Sequence, residues 1–208
     1  MEDVLDLYTL PDDPRYPQVC FDETSKQLIG ESRTPLPAKP GELARYDYEY
    51  VRNGVANLFM FFAPLHNWRH VKVTVRRTKE EWAYCMRDLV DVHFPEAIRI
   101  RLVEDNLNTH DPTALYEVFA PAEAKRILDR LEFHYTPKHG SWLNMAEIEF
   151  SVLSRQCLHP RIADKPALER EVAAWQAERN QAQATVHWRF TTSDARIKLK
   201  RLYPSIEP

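Results

Sequence analysis

The sequence predicts a mixed α/β fold, with a mixed central sheet and helices layered on both of its faces. Three observations predict it. Apolar runs of strand length recur along the chain, Leu58–Ala63 being the longest-buried in pattern. Segments of 3.6-residue periodicity start at capping residues and alternate with those runs. The resulting order is strand, strand, strand, helix, strand, helices, strand, helix, which a layered sheet accommodates and an all-helical or all-strand architecture does not. With 208 residues, 44 % of them hydrophobic and 28 % charged, the chain can bury a core of its own.

Residues 1–16 are acidic and contain Pro11 and Pro14, the composition of a connector. From Pro17 to Thr24 a short apolar run ends in Asp22-Glu23 and reads as a strand. Residues 30–54 hold Pro35, Pro37, Pro40, Gly41 and Gly54, with alternating Tyr46, Tyr48 and Tyr50; this is a long loop or an extended arm. After the Leu58–Ala63 strand, Val71, Val73 and Val75 alternate with Lys72 and Thr74, a half-exposed strand. Thr78-Lys79-Glu80-Glu81 is a capping box, followed by Trp82, Cys85, Met86, Leu89 and Val92 at helical spacing and closed by Pro95.

Ile98–Val103 is the next strand, ending on Glu104-Asp105-Asn106. Short helices are expected near 112–119 and 121–130, then a strand over Glu132–Tyr135 stopped by Pro137 and Gly140. Leu143, Ala146, Phe150, Leu153 and Cys157 predict a helix over Leu143–Leu158. Asp164 caps a further helix with Pro166 in its first turn, and Thr192 or Ser193 caps a last one. The domain organisation follows: a connector over 1–16, a core domain over 17–160 bearing the Pro-rich arm, and a helical segment over 161–208 that ends in a basic helix.

Composition excludes several functions. Three cysteines, Cys20, Cys85 and Cys157, are odd in number and form no C-x-x-C pair, so neither a disulfide framework nor a zinc site is expected and a cytoplasmic location is natural. Four glycines form neither phosphate-binding loop motif. No apolar run reaches the ~18 residues that span a bilayer, so no membrane partner is expected. Net charge is −3, but residues 1–32 alone hold eight acids and two bases. Arg196, Lys198, Lys200 and Arg201 cluster near the other end, either as a solvated helix face or as a phosphate-contacting patch.

Asp22 and Asp105 each end an apolar strand, where Asp also serves simply to make turns. On the helix from Leu143, positions 143, 146, 147, 150 and 154 share a face, which sets Glu147 on the border of the buried stripe. Glu149 is then expected to face solvent, about 200° further round. Leu143 and Ser151, four positions either side of Glu147, offer it no base; a distant arginine or a metal would have to offset its charge. Three carboxylates without a Cys/His cluster are oxygen ligands for Mg²⁺ or Mn²⁺. Two such ions ~3.5–4 Å apart clamp the attacking and leaving oxygens of a phosphodiester displacement.

The three blocks around these acids, Cys20-Phe21-Asp22-Glu23, Glu104-Asp105-Asn106-Leu107-Asn108-Thr109-His110 and Thr136-Pro137-Lys138-His139-Gly140-Ser141-Trp142-Leu143-Asn144-Met145-Ala146-Glu147, resemble the signature blocks of DDE transposases. The resemblance is to the bacterial insertion-sequence branch of the mariner-like superfamily and runs over roughly residues 17–204, the stretch Trp188–Arg196 included. It implies an RNase H-like fold in which Asp22, Asp105 and Glu147 are the catalytic acids and hold two divalent ions, Mg²⁺ or Mn²⁺. Water and then a freed 3′-hydroxyl would attack DNA in line. It implies that Asn106, His110 and Lys138 position DNA or support the acids, with Arg196, Lys198, Lys200 and Arg201 as further DNA contacts. Trp142 would pack on DNA or plug the core.

The partners implied are double-stranded DNA, at transposon ends and target, and a second copy in a homodimer, contacted by a loop after the first strand. Two departures stand out. Between Asp105 and Glu147 lie 41 residues, more than is usual in the group, so an extra turn or loop is expected there. No helix-turn-helix pattern precedes Asp22, so an upstream-encoded recognition module is expected as a partner. The competing readings are a catalytically incomplete remnant that binds DNA or dimerises, and a stand-alone RNase H-like nuclease. Strand parity raises one further question, because Glu104 rather than Asp105 is in phase with Ile98, Ile100 and Leu102.

Overall fold

A computed structural model describes residues 1–203; residues 204–208, the end of the expected C-terminal segment, lie outside the described residues. β1 (Gln18–Glu31) pairs antiparallel with β2 (Tyr50–Ala63), and β2 antiparallel with β3 (Trp68–Thr74). On its other side β1 pairs parallel with β4 (Ile100–Glu104), and β4 parallel with β5 (Leu131–Tyr135). The strand order is β3-β2-β1-β4-β5, the expected mixed sheet. Both faces are covered, so the central strands carry continuous apolar runs instead of clean alternation, as in Leu58–Ala63.

Side-chain parity divides the core in two. Cys20, Leu58, Met60, Phe62 and Val103 point to one face. They pack there under α1 (Glu2–Leu7), α5 (Met145–Gln156), α6 (Lys165–Gln181) and α7 (Thr192–Lys198). Val19, Phe21, Phe59, Phe61, Ile100 and Leu102 point to the other, under α2 (Lys79–Asp88), α3 (Ala114–Val118) and α4 (Pro121–Asp129). Phe21, Phe59, Phe61, Phe62 and Trp82 are fully buried, and each such side chain contributes roughly 2–3 kcal/mol through apolar burial.

Three expectations are corrected. Residues 2–7 form a helix and not a plain connector: Val4, Leu5 and Leu7 are buried. The acids that gave this stretch its solvated look are engaged, Glu2 with Arg196, Asp3 with His134 and Asp6 with Thr192. The last helix is capped by Thr191, not Thr192 or Ser193; Thr191 Oγ1 accepts from the Asp194 amide at 3.1 Å while Asp194 accepts from the Thr191 amide at 3.0 Å. The helix expected from Leu143 starts only at Met145, because Ser141–Leu143 forms a tighter 3-10 turn.

The arm keeps strand character further than its proline content suggests. The β1–β2 ladder runs out to Glu31↔Tyr50 past an irregularity between Gln27 and Ile29. Beyond it, the isolated bridges Leu36↔Arg45 and Lys39↔Glu42 join the two sides. Leu43, Tyr46 and Tyr48 along this arm are exposed.

Candidate active site

The parity question at the end of β4 is answered by the core. Glu104, in phase with Ile100 and Leu102, turns to the α2 face, where it is fully buried and its Oε2 accepts from Trp82 Nε1 at 3.1 Å. Asp105 therefore belongs to the opposite parity, that of Val103. Asp22 shares parity with Cys20 on neighbouring β1, and Asp105, one residue past the end of β4, lies near enough to act on its charge. Burial pushes the Asp22 carboxyl up to about 7, an effect its bond from the Glu23 amide opposes and the charges of Glu23, Asp105 and Glu147 reinforce.

Glu147 lies in the first turn of α5, half-buried, near enough to Asp22 to act on its charge. The expectation for Glu149 is overturned: it is fully buried, not solvent-facing. It accepts from Arg179 Nε at 2.7 Å and Nη2 at 3.2 Å, and pairs with buried Arg69 Nε at 2.8 Å. The error has a geometric source. The helical spacing counts Leu143 into the helix, but it sits in the preceding 3-10 turn and the helix starts at Met145. The true buried stripe is Met145, Ala146, Glu149, Phe150 and Leu153, and Glu147 sits at its edge.

Two residues of the site lay outside the sequence reading. Asn144 is the N-cap of α5: its Oδ1 accepts from the Ala146 amide at 3.1 Å, and its Nδ2 donates to the Phe21 carbonyl at 2.7 Å. It ties the helix of Glu147 to the strand of Asp22. An Asn just before an amphipathic run is a capping signal, so half of this role was readable. Glu23, named only as Asp22's neighbour, is the partner of His110.

His110 is buried, with 2 % exposure, a position that suits support of the acids. Its Nε2 meets Glu23 Oε2 at 2.8 Å and its Nδ1 meets Asp105 Oδ1 at 2.8 Å. Desolvation lowers the imidazole's proton affinity, but bonds to Asp105 and Glu23 and the charge of Glu104 overcome it and push His110 up to about 11. As an imidazolium it donates to both carboxylates. In return, although burial raises Asp105, the His110 bond and charge and the Leu107 amide hold its carboxyl below the usual value. His110 thus fixes the orientation of Asp105 from beneath the site.

The other expected contacts separate into two groups. Asn106 and Lys138 line one cavity of about 510 Å³ together with Asp105 and His139. Lys200 and Arg201 are exposed in the turn after α7. Arg196 is exposed but committed, its guanidinium donating twice to Glu2 at 2.8 Å. Lys198 lies 3.9 Å from Asp194 and over the Phe190 ring.

The donor set of Asp22, Asp105 and Glu147 is all oxygen and crowded with like charge, which suits a hard divalent cation. Among the described residues no group of three or more His, Cys, Asp or Glu is arranged to hold a metal ion. Among the described residues no helix is long and apolar enough to cross a membrane.

A family model described as DDE superfamily endonuclease matches residues 17–169. No curated protein matches in sequence. In structure the chain is similar to the Mos1 mariner paired end complex with Mn, at TM-score 0.57 and 14 % identity over 86 % of this chain and 54 % of that one. It is similar also to the Mos1 strand transfer complex, at TM-score 0.55 and 12 % identity over 88 % and 56 %. The likeness is one of fold, the RNase H-like fold. The chain spans about half the length of these matched chains.

Proposed function

The chain belongs to the DDE superfamily endonuclease family, and on that premise we propose that it is a DNA transposase catalytic domain that cleaves phosphodiesters and joins a freed 3′-hydroxyl to target DNA. One observation carries the reading: three carboxylates from separate elements, Asp22 on β1, Asp105 just past β4 and Glu147 in the first turn of α5, lie close enough that, on top of burial, the charges of Asp105 and Glu147 raise the Asp22 carboxyl. The three acids would hold Mg²⁺ or Mn²⁺, two ions in all. Bound divalent ions supply positive charge to the attacking and departing oxygens of an in-line displacement, without a covalent enzyme intermediate.

The chain's own residues set the geometry. His110 holds Asp105, and Asn144 holds the start of α5 against β1. Asn106 and Lys138, on the cavity wall beside Asp105, suit contact with the DNA backbone. The exposed tyrosines of the arm suit contact with a second copy or with DNA, and a separate helix-turn-helix module would read the transposon ends. The test is nicking of supercoiled plasmid. Nicking should require Mn²⁺ or Mg²⁺ and fall at least about 100-fold, near 2.7 kcal/mol in the barrier, in Asp22→Asn and in Asp105→Asn. Undiminished nicking in both variants would overturn the assignment.

A further inference from the structure

Tyr8 lies outside the stretch that the family model matches, residues 17–169, yet its side chain reaches in between two of the segments that carry the acids. It is the first residue after α1, and its hydroxyl donates to the Leu143 carbonyl at 2.8 Å. Cys20 Sγ lies 3.4 Å from the same oxygen. A hydroxyl carries one proton, so with that proton on Leu143 the thiol is the donor to Tyr8. Leu143 ends the turn that leads into α5, four residues before Glu147. Cys20 stands two residues before Asp22 on β1 and shares its parity. One oxygen atom is therefore bonded both to the turn that delivers Glu147 and to the strand that delivers Asp22.

That oxygen is itself held in place. The Tyr8 ring packs against Trp188 at 5.2 Å, and Trp188 lies beyond the matched stretch as well. Trp188 is fixed by its Nε1, which donates to the Phe190 carbonyl at 2.7 Å, and by Trp142, stacked on it at 6.2 Å. On the backbone side the Tyr8 amide donates to the Val4 carbonyl at 3.1 Å, and Val4, Leu5 and Leu7 anchor α1 in the core. The Tyr8 bond complements the one from Asn144 to the Phe21 carbonyl at 2.7 Å. A single hydrogen bond is a pivot; a second on the adjacent residue, Leu143, fixes the direction in which the first turn of α5 points.

We propose that Tyr8 is a positioning residue for the carboxylates: by bonding Leu143 and Cys20 at once, its hydroxyl sets how far Glu147 stands from Asp22 and makes α1 part of the active site. The inference rests on the transposase reading for the role of the two acids. Tyr8 acts through Leu143 and Cys20, not by touching DNA. Ligands of a metal ion have to be held within about 0.5 Å of their working positions, and loss of outer support of this kind costs about 10–100-fold in metal affinity or activity. Phenylalanine keeps the ring against Trp188 and removes only the hydroxyl, so the packing and the positioning parts of the side chain are separable.

The test compares Tyr8→Phe with the wild type and with Ile127→Val, which trims a buried residue of α4 in the core across the sheet and touches neither tie. Calorimetric titration with Mn²⁺ should show an affinity about tenfold lower in Tyr8→Phe and within about twofold of wild type in Ile127→Val. Nicking of supercoiled plasmid by Tyr8→Phe should lose about tenfold in kcat while KM for DNA stays within about twofold, because the hydroxyl does not meet DNA. Amide exchange should quicken about tenfold in the first turn of α5, the scale of one lost hydrogen bond, and stay as it was in the sheet. Unchanged Mn²⁺ affinity or kcat in Tyr8→Phe, an equal loss in Ile127→Val, or a rise in exchange spread evenly over the sheet overturns the positioning role alone. Wild-type protein that neither binds Mn²⁺ nor nicks DNA overturns the transposase reading, and the positioning role with it.

Discussion

The side-chain amide of Asn144 donates to the Phe21 carbonyl at 2.7 Å, joining the first residue before α5 to the residue before Asp22. The same side chain caps α5 through the Ala146 amide. Asn144→Ala removes the cap and strands the buried Phe21 carbonyl. The expected loss is about 2–4 kcal/mol, a cap contributing ~1 and an unsatisfied buried polar group ~1–3. Asn144→Asp keeps the acceptor and loses the donor, so it should be destabilised as well while retaining the helix start. Urea denaturation decides it; a loss under about 1 kcal/mol in Asn144→Ala would show that the tie is incidental.

Stability of the metal-free protein should depend on pH through Asp22. Its folded carboxyl titrates near 7 instead of near 3.8, so between those values the folded state binds more protons than the unfolded one. Stability from this group is therefore greatest at low pH and falls as pH rises from about 3.8 to about 7. Asp22→Asn should flatten that part of the curve. Mn²⁺, by offsetting the same charge, should raise stability most at the upper end of the window. Thermal melts at fixed ionic strength would show it, and a variant curve parallel to the wild type would remove Asp22 as the cause.

The sheet was legible because burial on both faces writes a strand such as Leu58–Ala63 as an unbroken apolar run. The caps at Thr78 and Asp164 were legible because capping is local chemistry. What was not legible depended on partners distant in sequence. α1 is held by residues near the other end of the chain, Arg196 and Thr192. Glu149 is buried because Arg69 on β3 and Arg179 on α6 reach it, and a helical wheel begun two residues too early cannot reveal that. Of the two roles expected of His110, positioning DNA or supporting the acids, its buried contacts favour the second, and that rests on Glu23, 87 residues earlier, which no local pattern points to.

The basic residues near the C-terminal end should not act as one patch. Lys200 and Arg201 are exposed, whereas the Arg196 guanidinium is already bonded to Glu2. Neutralising Lys200 and Arg201 together should reduce the slope of log K against log salt by roughly 1.8 for duplex DNA, about 0.9 per lost phosphate contact. Arg196→Gln should leave that slope nearly unchanged and instead loosen α1, read as faster amide exchange in residues 2–7. An identical change of slope in the two variants would mean that Arg196 leaves Glu2 when DNA binds.

Glu147 and Glu149 should part company in opposite ways. Glu149 is a buried charge between two arginines, so Glu149→Gln leaves Arg69, itself fully buried, without its counter-charge. Breaking one side of a buried pair costs about 3–5 kcal/mol, and the loss should appear directly in urea unfolding. Glu147 is half-buried among like charges, and the neutral isostere relieves repulsion with Asp22. Glu147→Gln should therefore fold as stably as the wild type or more so, while DNA nicking falls by at least about 100-fold because a carboxylate for the divalent ions is gone. Glu149→Gln, assayed well below its lowered melting temperature, should keep nicking within about tenfold of wild type, near 1.4 kcal/mol in the barrier. Nicking lost in Glu149→Gln but kept in Glu147→Gln would reverse the assignment. A stability loss shared equally by the two variants would instead place both carboxylates in the core, contrary to the half-buried position of Glu147 on the first turn of α5.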